Sequence, residues 1–261
     1  MIKFFRKIRQ KLLSENRFSK YLLYAIGEII LVVIGILIAL QINNWNENRK
    51  SRDQEQKYYC LLLENVEQDK EQVLQLKALN EERKNGSYEA ILEIQKEKPK
   101  AKVFGKSWIN ALQRVTTTFR PNNATYSDIK SSGNLSIIQD KAITEALNTY
   151  YTNVAGYAET IIINSDFTVD RIKSLDSWFE AGVHHVNIFS RYNNDVFTDA
   201  IREKIKEDLP EYISEDYKPI LYDAILITGT DNGRRHQLLE LIESEVDQIK
   251  QLLQDKCNNN D

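Results

Sequence analysis

The strongest pattern in the sequence is one uninterrupted apolar run at residues 21–42, in which Glu28 is the only charged residue. A helix rises about 1.5 Å per residue, so some 20 apolar residues span the ~30 Å hydrocarbon core of a bilayer. The run therefore predicts a transmembrane helix. A cleaved signal peptide is the alternative, but its apolar region covers only about 7–15 residues, and the Ala-Leu-Gln sequence at residues 39–41 is a poor cleavage site.

Beyond residue 42, apolar positions recur every three or four residues, as on one face of a helix, and no stretch alternates as a strand does. Asp140 can act as the N-cap of a long helix that either continues past Asn164 or breaks there. Other helices are predicted over residues 55–80, 87–97, 103–119, 195–208, 216–228 and 234–257. The predicted fold class is all-α, with one N-terminal transmembrane helix followed by a helical bundle.

The last predicted helix carries a heptad-like seam made of Leu239, Ile242, Val246, Ile249 and Leu253. Two heptads are short for an independent coiled coil, so we expect the seam to pack within the chain, antiparallel to the helix at 55–80. Pairing with a second copy of the chain is the alternative. The Gly-Thr-Asp-Asn-Gly sequence at residues 229–233 is interpreted as a turn that caps this helix.

Charge is distributed unevenly along the chain, although its net charge is only −3. Seven Lys and Arg residues and one Glu precede residue 21, whereas residues 43–261 carry a net charge of −8. Because loops rich in Lys and Arg stay in the cytoplasm, we expect the N-terminus inside and the large domain outside. An acidic domain lacks the basic face that nucleic-acid binding needs, so no nucleic acid is expected as a partner.

These patterns divide the chain into five segments. They are a cytoplasmic basic segment (residues 1–20), a transmembrane helix (21–42), a juxtamembrane segment (43–57), a helical ectodomain (58–257) and a frayed tail (258–261). In the basic segment, Phe5, Ile8 and Leu12 share one helical face. This predicts an amphipathic helix lying on anionic lipid of the bilayer surface. In the alternative interpretation, the basic residues only set the topology.

Within and around the span, two kinds of residue suggest contacts with lipid or protein. Tyr21 and Tyr24 on the inner side and Trp45 on the outer side are predicted interface anchors, since Tyr and Trp favour the headgroup level. Gly35 and Ala39 are small and four residues apart, a spacing that allows close packing of a second transmembrane helix.

Glu28 admits two interpretations. Measured from Tyr21 it lies about 10 Å deep, where an ionisable residue indicates a proton relay or a contact with a partner. If Tyr24 marks the headgroup level, Glu28 lies one turn inside the span, where it can reach water or pair with Lys20 or Arg17.

The two cysteines, Cys60 and Cys257, fall near the ends that the antiparallel helix pairing brings together. In an oxidising compartment outside the cytoplasm they can form a disulfide that closes a loop of about 200 residues, for which the chain-entropy model gives about 4–5 kcal/mol. The alternative is two unrelated thiols, because Cys257 lies where the chain is expected to fray.

Ser131 and Ser132 are the candidate binding residues of the ectodomain. Their segment is also explained by a helix that begins at Asn123 or Thr125 and ends at a left-handed Gly133. Caps and turns alone therefore account for both serines, and a ligand contact is the alternative.

The motifs of common enzymes are missing from the sequence. It contains no HExxH, CxxC, GxSxG, Walker A or GxGxxG pattern. His184 and His185 are adjacent, so on a helix they point in different directions and make poor co-ligands of a metal. We therefore expect no enzymatic activity, no metal and no cofactor.

Two segments carry a family resemblance. The sequence MIKFFRKIRQKLLSENRFSKYLLYAIGEIILVVIGILIALQINNWNE, at residues 1–47, resembles the N-terminus of an uncharacterised family of small Bacteroidota membrane proteins, described as a domain of unknown function. The sequence ATYSDIKSSGNLSII, at residues 124–138, is similar to the recurring ectodomain motif of that family. The resemblance implies an N-terminally anchored envelope protein with a helical extracytoplasmic part, and it implies no activity.

From these observations we expect a single-pass inner-membrane protein whose helical periplasmic domain binds or scaffolds a membrane or periplasmic protein, or a second copy of itself. The first alternative is a sensory or regulatory subunit that detects an envelope ligand and signals through its membrane helix. The second is a proton-coupled, stator-like subunit that uses Glu28.

Overall fold

The computed structural model describes residues 18–176, 178–191 and 196–258, and the regular elements within these ranges are helices. The α-helices there are α1 (Phe18–Ile94), α2 (Ala101–Ala111), α3 (Ala124–Ser131), α4 (Lys141–Lys173), α5 (Val183–Val186), α6 (Asp199–Lys206) and α7 (Lys218–Asn258). A 3₁₀-helix covers Asn134–Ile137, a π-helix covers Asn187–Arg191, and an isolated antiparallel bridge joins Lys100 and Tyr212. The predicted all-α fold class is confirmed.

The chain divides after Lys57 into two compact units. In the first unit, the apolar side chains of α1 are largely exposed, including those of Leu23, Ile29 and Leu31. Among the described residues, α1 is the one helix long and apolar enough to cross a membrane. The predicted amphipathic helix, the side chains of Tyr21 and Tyr24, and all of the predicted tail except its first residue lie outside the described part of the chain.

In the second unit, the part of α1 that follows Lys57 runs antiparallel to α7, the arrangement predicted for the last helix. Near one end of the pair, Lys70 Nζ lies 2.8 Å from Glu243 Oε1. Farther along, Asn80 Nδ2 donates a 3.0 Å hydrogen bond to the carbonyl oxygen of Asn232. Residue numbers thus rise along α1 as they fall along α7.

Helix α4 also runs antiparallel to α7. Asn153 Nδ2 donates to Glu245 Oε1 over 2.8 Å, and Arg171 pairs with Asp223 at 3.2 Å. The helix starts where predicted, because Asp140 Oδ1 accepts a 2.9 Å hydrogen bond from the amide of Ala142. It then continues through residue 164 without a break.

Two apolar clusters fill the space between these long helices. The first is built around Leu62, Val66, Leu147, Ile242 and Val246, all of which are fully or almost fully buried. The second is built around Ala90, Phe104, Trp108, Leu221 and Ile225. Buried apolar area is the main source of stability in such a fold, at about 25 cal/mol per Å².

Several predicted helix boundaries are wrong. Helices predicted separately at 55–80 and 87–97 belong to α1, and the one predicted at 216–228 belongs to α7. The predicted turn at 229–233 is helical, because Asp231 and Asn232 are buried among the long helices and this packing outweighs the cost of two helical glycines, about 1 kcal/mol each. The helix predicted at 103–119 ends as α2 at Ala111, since the next carbonyl groups are bonded by side chains from other helices.

Candidate ligand-binding site

A layer of buried polar side chains separates the two apolar clusters. On each of the three long helices, the polar residues fall between residues of the first cluster and residues of the second. We define the polar layer as Asn80, Arg83 and Ser87 of α1, Ser165 and Thr168 of α4, and Thr228, Asp231, Asn232 and Arg235 of α7, all at most 7% exposed. Buried polar groups are costly unless they are hydrogen-bonded, so their partners show what the layer does.

The two arginines of the polar layer bind the backbone of the α2–α3 connection. Arg83 donates from Nε to the carbonyl oxygen of Gln113 over 2.6 Å, and from Nη2 to the carbonyl oxygen of Arg114. Arg235 donates from Nη1 to Thr117 O over 2.8 Å and from Nη2 to Val115 O over 2.6 Å. These bonds satisfy carbonyl groups that lie beyond the end of α2, and they fix this connection against α1 and α7.

Asp231 is the acidic member of the polar layer, and the residue is only 7% exposed. Its nearest cationic atom is Arg235 Nη2, 3.7 Å from Oδ2, which is longer than a hydrogen bond. No group in the described ranges donates a hydrogen bond to either oxygen of Asp231, and Arg235 Nε likewise has no acceptor there. The arginine fork is held by backbone carbonyls, which leaves the carboxylate with unused acceptor positions.

Burial shifts the pKa values of these groups, and neighbouring charges oppose that shift at Asp231 and add to it at Arg83. Burial raises the pKa of Asp231 above its usual value, against the lowering effect of Arg235 and Arg83. Burial, together with the nearby charge of Arg235, lowers the pKa of Arg83 to about 10. Both arginines remain protonated at neutral pH, so these three groups carry a net positive charge.

A surface pocket of about 330 Å³ opens beside the polar layer, between α4 and α7. Asp231 lies at its buried side and Arg234, which is exposed, also lines it. The remaining lining residues are Asn164, Phe167 and Thr168 from α4, and Leu226, Ile227 and Thr230 from α7. The pocket therefore combines an apolar wall with one acidic and one basic group, a composition typical of small-molecule sites.

The residues that the sequence analysis singled out in the span lie in the first unit and are not part of this pocket. Glu28 is partly exposed on α1, and Gly35 and Ala39 are exposed on the same helix, where a Cβ atom added at Gly35 would meet no atom within 4 Å. Trp45 is 65% exposed, with the guanidinium carbon of Arg49 5.5 Å from its ring centroid. Whether these residues contact lipid or a partner stays a prediction.

Ser131 and Ser132 close the end of α3. Both hydroxyl groups donate to the carbonyl oxygen of Asp128, over 3.2 and 2.7 Å. Gly133 follows with a positive φ of 73°, the left-handed conformation expected there, whereas Asn123 makes no side-chain capping bond at the start of the helix. Hydrogen bonds at the end of the helix account for both serines, in agreement with the interpretation of this segment as caps and turns.

Cys60 and Cys257 are joined by a disulfide, with their Cα atoms 5.0 Å apart. The bond connects α1 to the last turn of α7. Of the histidines, His236 lies between Glu81 and Glu240, with nitrogen–oxygen distances of 3.1 and 3.3 Å. In the described ranges no group of three or more His, Cys, Asp and Glu side chains is arranged to hold a metal ion.

Sequence reasoning missed the three charged residues of the polar layer, although one signal was present. Asp231 and Arg235 occupy positions that continue the apolar seam of α7 toward its N-terminus, four residues apart on one helical face. Interpreting residues 229–233 as a turn concealed this periodicity. Arg83 gave no comparable signal, because it follows a charged stretch of α1.

Comparison with models of protein families gives a match. The sequence profile of a family described as "Family of unknown function (DUF6090)" matches residues 28–200, which is more than half of the chain. The predicted resemblance to an uncharacterised family is thereby confirmed. Neither a curated protein nor a solved structure matches the chain.

Proposed function

The chain belongs to the family of unknown function DUF6090, and from this starting point we propose that it is a single-pass membrane protein whose helical domain is an extracytoplasmic binding module. The proposal assigns residues 21–42 to the bilayer and the N-terminus to the cytoplasm. In a bacterial cell, which the Bacteroidota resemblance implies, the domain from residue 58 onward lies in the periplasm. The module is assigned no catalytic activity.

Exposed apolar side chains support the assignment to the bilayer. The described side chains of the span are mostly exposed, although those of Leu, Ile and Val predominate. A contiguous apolar surface of this size is unfavourable in water and favourable in lipid. The excess of basic residues before the span supports an N-terminus in the cytoplasm.

The observation that carries the proposal is the Cys60–Cys257 disulfide. Disulfides persist in oxidising compartments such as the bacterial periplasm and are rare in the cytosol. The bond joins the start and the end of the second unit, so it supports the assignment of this whole unit to the outside of the cytoplasm.

Topology is tested on the full chain expressed in a bacterial inner membrane. Alkaline phosphatase, which is active only after export, and a fluorescent protein that folds only in the cytoplasm are fused in turn after residue 261. We expect an active phosphatase and no fluorescence. As a control, deletion of residues 21–42 should reverse both signals. Fluorescence from the full-length fusion would contradict the proposed orientation.

An apolar strip on α4 supports the scaffold form of the proposal, in which the module binds another envelope protein. Ile163 and Phe167 lie one helical turn apart and are 61% and 65% exposed. Exposed apolar residues that are adjacent on a helix are typical of protein interfaces. Affinity purification of the full chain from native membranes should recover a partner that Ile163→Lys loses and Glu159→Lys retains. Recovery of the chain alone would count against a scaffold.

The pocket between α4 and α7 favours a second candidate function, that of a sensory or regulatory subunit. A sensor needs a ligand site in its extracytoplasmic domain, and the pocket has the size and mixed lining of such a site. A ligand that binds the folded state raises the melting temperature of the full chain in detergent. Failure of a broad panel of envelope metabolites to shift that temperature would contradict this function.

A further inference from the structure

Helix α1 continues past the proposed span without a break and carries basic residues directly after it. Arg49, Lys50 and Arg52 are all exposed. Lys and Arg favour the cytoplasmic side of a membrane, so basic residues on the opposite side do not serve the proposed topology. Their presence at this position calls for another explanation.

Two of these residues share one face of α1 with Trp45. Positions four and seven residues after Trp45 return to the same side of a helix, and they are occupied by Arg49 and Arg52. In the part of the chain that the structure describes, neither arginine forms an ion pair with a carboxylate. This face of α1 is therefore aromatic and positively charged.

The guanidinium of Arg49 lies over the indole ring of Trp45. Its central carbon is 5.5 Å from the ring centroid, and Nη2 donates only one long, exposed hydrogen bond, 3.5 Å to Asn46 Oδ1. A guanidinium that stacks on a ring uses its face, whereas its N–H donors lie in its plane. The stacking thus orients Arg49 and leaves donors for a phosphate group, which a guanidinium binds through two parallel hydrogen bonds.

Helix geometry brings this face to the headgroup layer. At about 1.5 Å per residue, Trp45 lies about 5 Å and Arg49 about 10 Å beyond residue 42, and the headgroup layer is about 5–7 Å thick. Side chains of a helix lean toward its N-terminus, which on α1 is the direction of the span. The guanidinium groups of Arg49 and Arg52 therefore extend back toward the phosphates, at the level that Trp45, 65% exposed, favours.

We propose that the face of α1 formed by Trp45, Arg49 and Arg52 binds the headgroups of anionic phospholipids, in the leaflet on the side of the helical domain. An anionic headgroup complements the two arginines, whereas the phosphate of a zwitterionic lipid is already balanced by its own ammonium group. This inference rests on the proposed function, because it needs residues 21–42 in a bilayer, and it names a lipid class as the partner of the anchor.

The test measures which lipid lies beside Trp45 when the full chain is reconstituted into vesicles of equal parts phosphatidylglycerol and phosphatidylcholine. Each lipid in turn carries bromine on its acyl chains, which quenches a nearby tryptophan. Trp45→Phe gives the signal of Trp108 and Trp178, which is subtracted. Bromine in the other leaflet is too far from Trp45 to quench it, so the basic residues before the span do not contribute.

We expect brominated phosphatidylglycerol to quench Trp45 more strongly, with a preference over phosphatidylcholine of about fivefold or more, as one arginine at an anionic surface provides. Arg49→Gln combined with Arg52→Gln should reduce this preference to less than about twofold.

The matched control combines Lys50→Gln with Lys57→Gln, which removes the same charge from another face of α1. This variant should retain most of the preference for phosphatidylglycerol. An equal loss in the two double variants would show that general surface charge attracts the lipid, and would overturn the assignment to the Trp45 face.

The quenching signal also separates this inference from the proposed function. Equal quenching of Trp45 by the two brominated lipids retains the anchored module and overturns the lipid preference. Absence of quenching by either lipid overturns the assignment of residues 21–42 to the bilayer, and this inference with it.

Discussion

Cys60 on α1 and Cys257 in the last turn of α7 are bonded to each other across 197 residues of sequence. The bond links these two antiparallel helices at the C-terminal end of α7. Replacing both cysteines by serine should lower the free energy of unfolding by about 2–5 kcal/mol, the usual range for a disulfide that closes a long loop. The measurement is thermal unfolding of the full chain in detergent, followed by circular dichroism.

Reductant provides the control for this prediction. Dithiothreitol should lower the melting temperature of the parent chain and leave that of the double serine variant unchanged. Alkylation of denatured, unreduced protein should label neither cysteine. Two labelled thiols in protein purified from the envelope would show that the bond does not form there.

Arg235 and Arg234 are adjacent in sequence and differ completely in environment, since Arg235 is 2% exposed and Arg234 is exposed. Arg235→Met should destabilise the chain by about 3–5 kcal/mol, because it leaves the buried Asp231 without a nearby partner on its own helix and removes donors from the carbonyl groups of Val115 and Thr117. Urea unfolding monitored by tryptophan fluorescence measures this loss.

Arg234→Met is the matched control and should change the free energy of unfolding by less than about 0.5 kcal/mol. Arg235→Lys should recover only part of the lost stability, since an ammonium group cannot reproduce the forked bonds. Equal effects of the Met substitutions at the two positions would show that Arg235 does not hold the α2–α3 connection.

Periodicity was sufficient to predict the elements whose apolar faces are regular. The seam of α7 from Leu239 to Leu253, its antiparallel pairing with α1 and the Asp140 cap of α4 are all present in the structure. These features depend on local spacing and on one capping carboxylate, both of which the sequence shows directly.

The burial of Asp69 in α1 and of the polar layer depends instead on tertiary partners. Asp69 lies in the polar stretch of residues 67–72, yet it is fully buried, because Tyr150 Oη and the amide of Asn122 each donate a 2.7 Å hydrogen bond to its carboxylate. Asp231 and Arg235 are also buried by neighbours from distant parts of the chain. Charged residues are usually interpreted as solvated, so their position on the apolar seam was not sufficient to locate the candidate site.

Glu243 on α7 lies between two lysines of α1, 2.8 Å from Lys70 and 2.5 Å from Lys77. Hydrogen bonds from Lys70 and then Lys77 lower the pKa of Glu243 below its usual value. A carboxylate with a lowered pKa in the folded state stabilises fully above its ordinary pKa, and this contribution is lost as the pH falls through the folded-state pKa.

Glu243→Gln should therefore lower the free energy of unfolding by about 0.5–1 kcal/mol at pH 7, since the pair is partly exposed. The difference from the parent chain should shrink below pH 4.5, the ordinary pKa of the group, and disappear once Glu243 is protonated. Melting temperatures measured from pH 7 to pH 3 check this. A difference that stays constant over this range would show that the loss is not electrostatic.

Gly86 marks the closest approach of α1 to α2. A Cβ atom at this position would lie 2.6 Å from the amide nitrogen of Ala111 and 2.8 Å from the carbonyl oxygen of Ser107, both of them backbone atoms. Gly86→Ala should therefore destabilise the chain by about 1–3 kcal/mol through overpacking, although alanine is the better helix former.

Gly156 on α4 is the matched control. It is exposed, and a Cβ atom there would meet no atom within 4 Å, so Gly156→Ala should stabilise the chain by up to about 1 kcal/mol. Opposite signs of the two changes in urea unfolding are the expected result, and a stabilising Gly86→Ala would mean that α2 does not pack against α1 at this point.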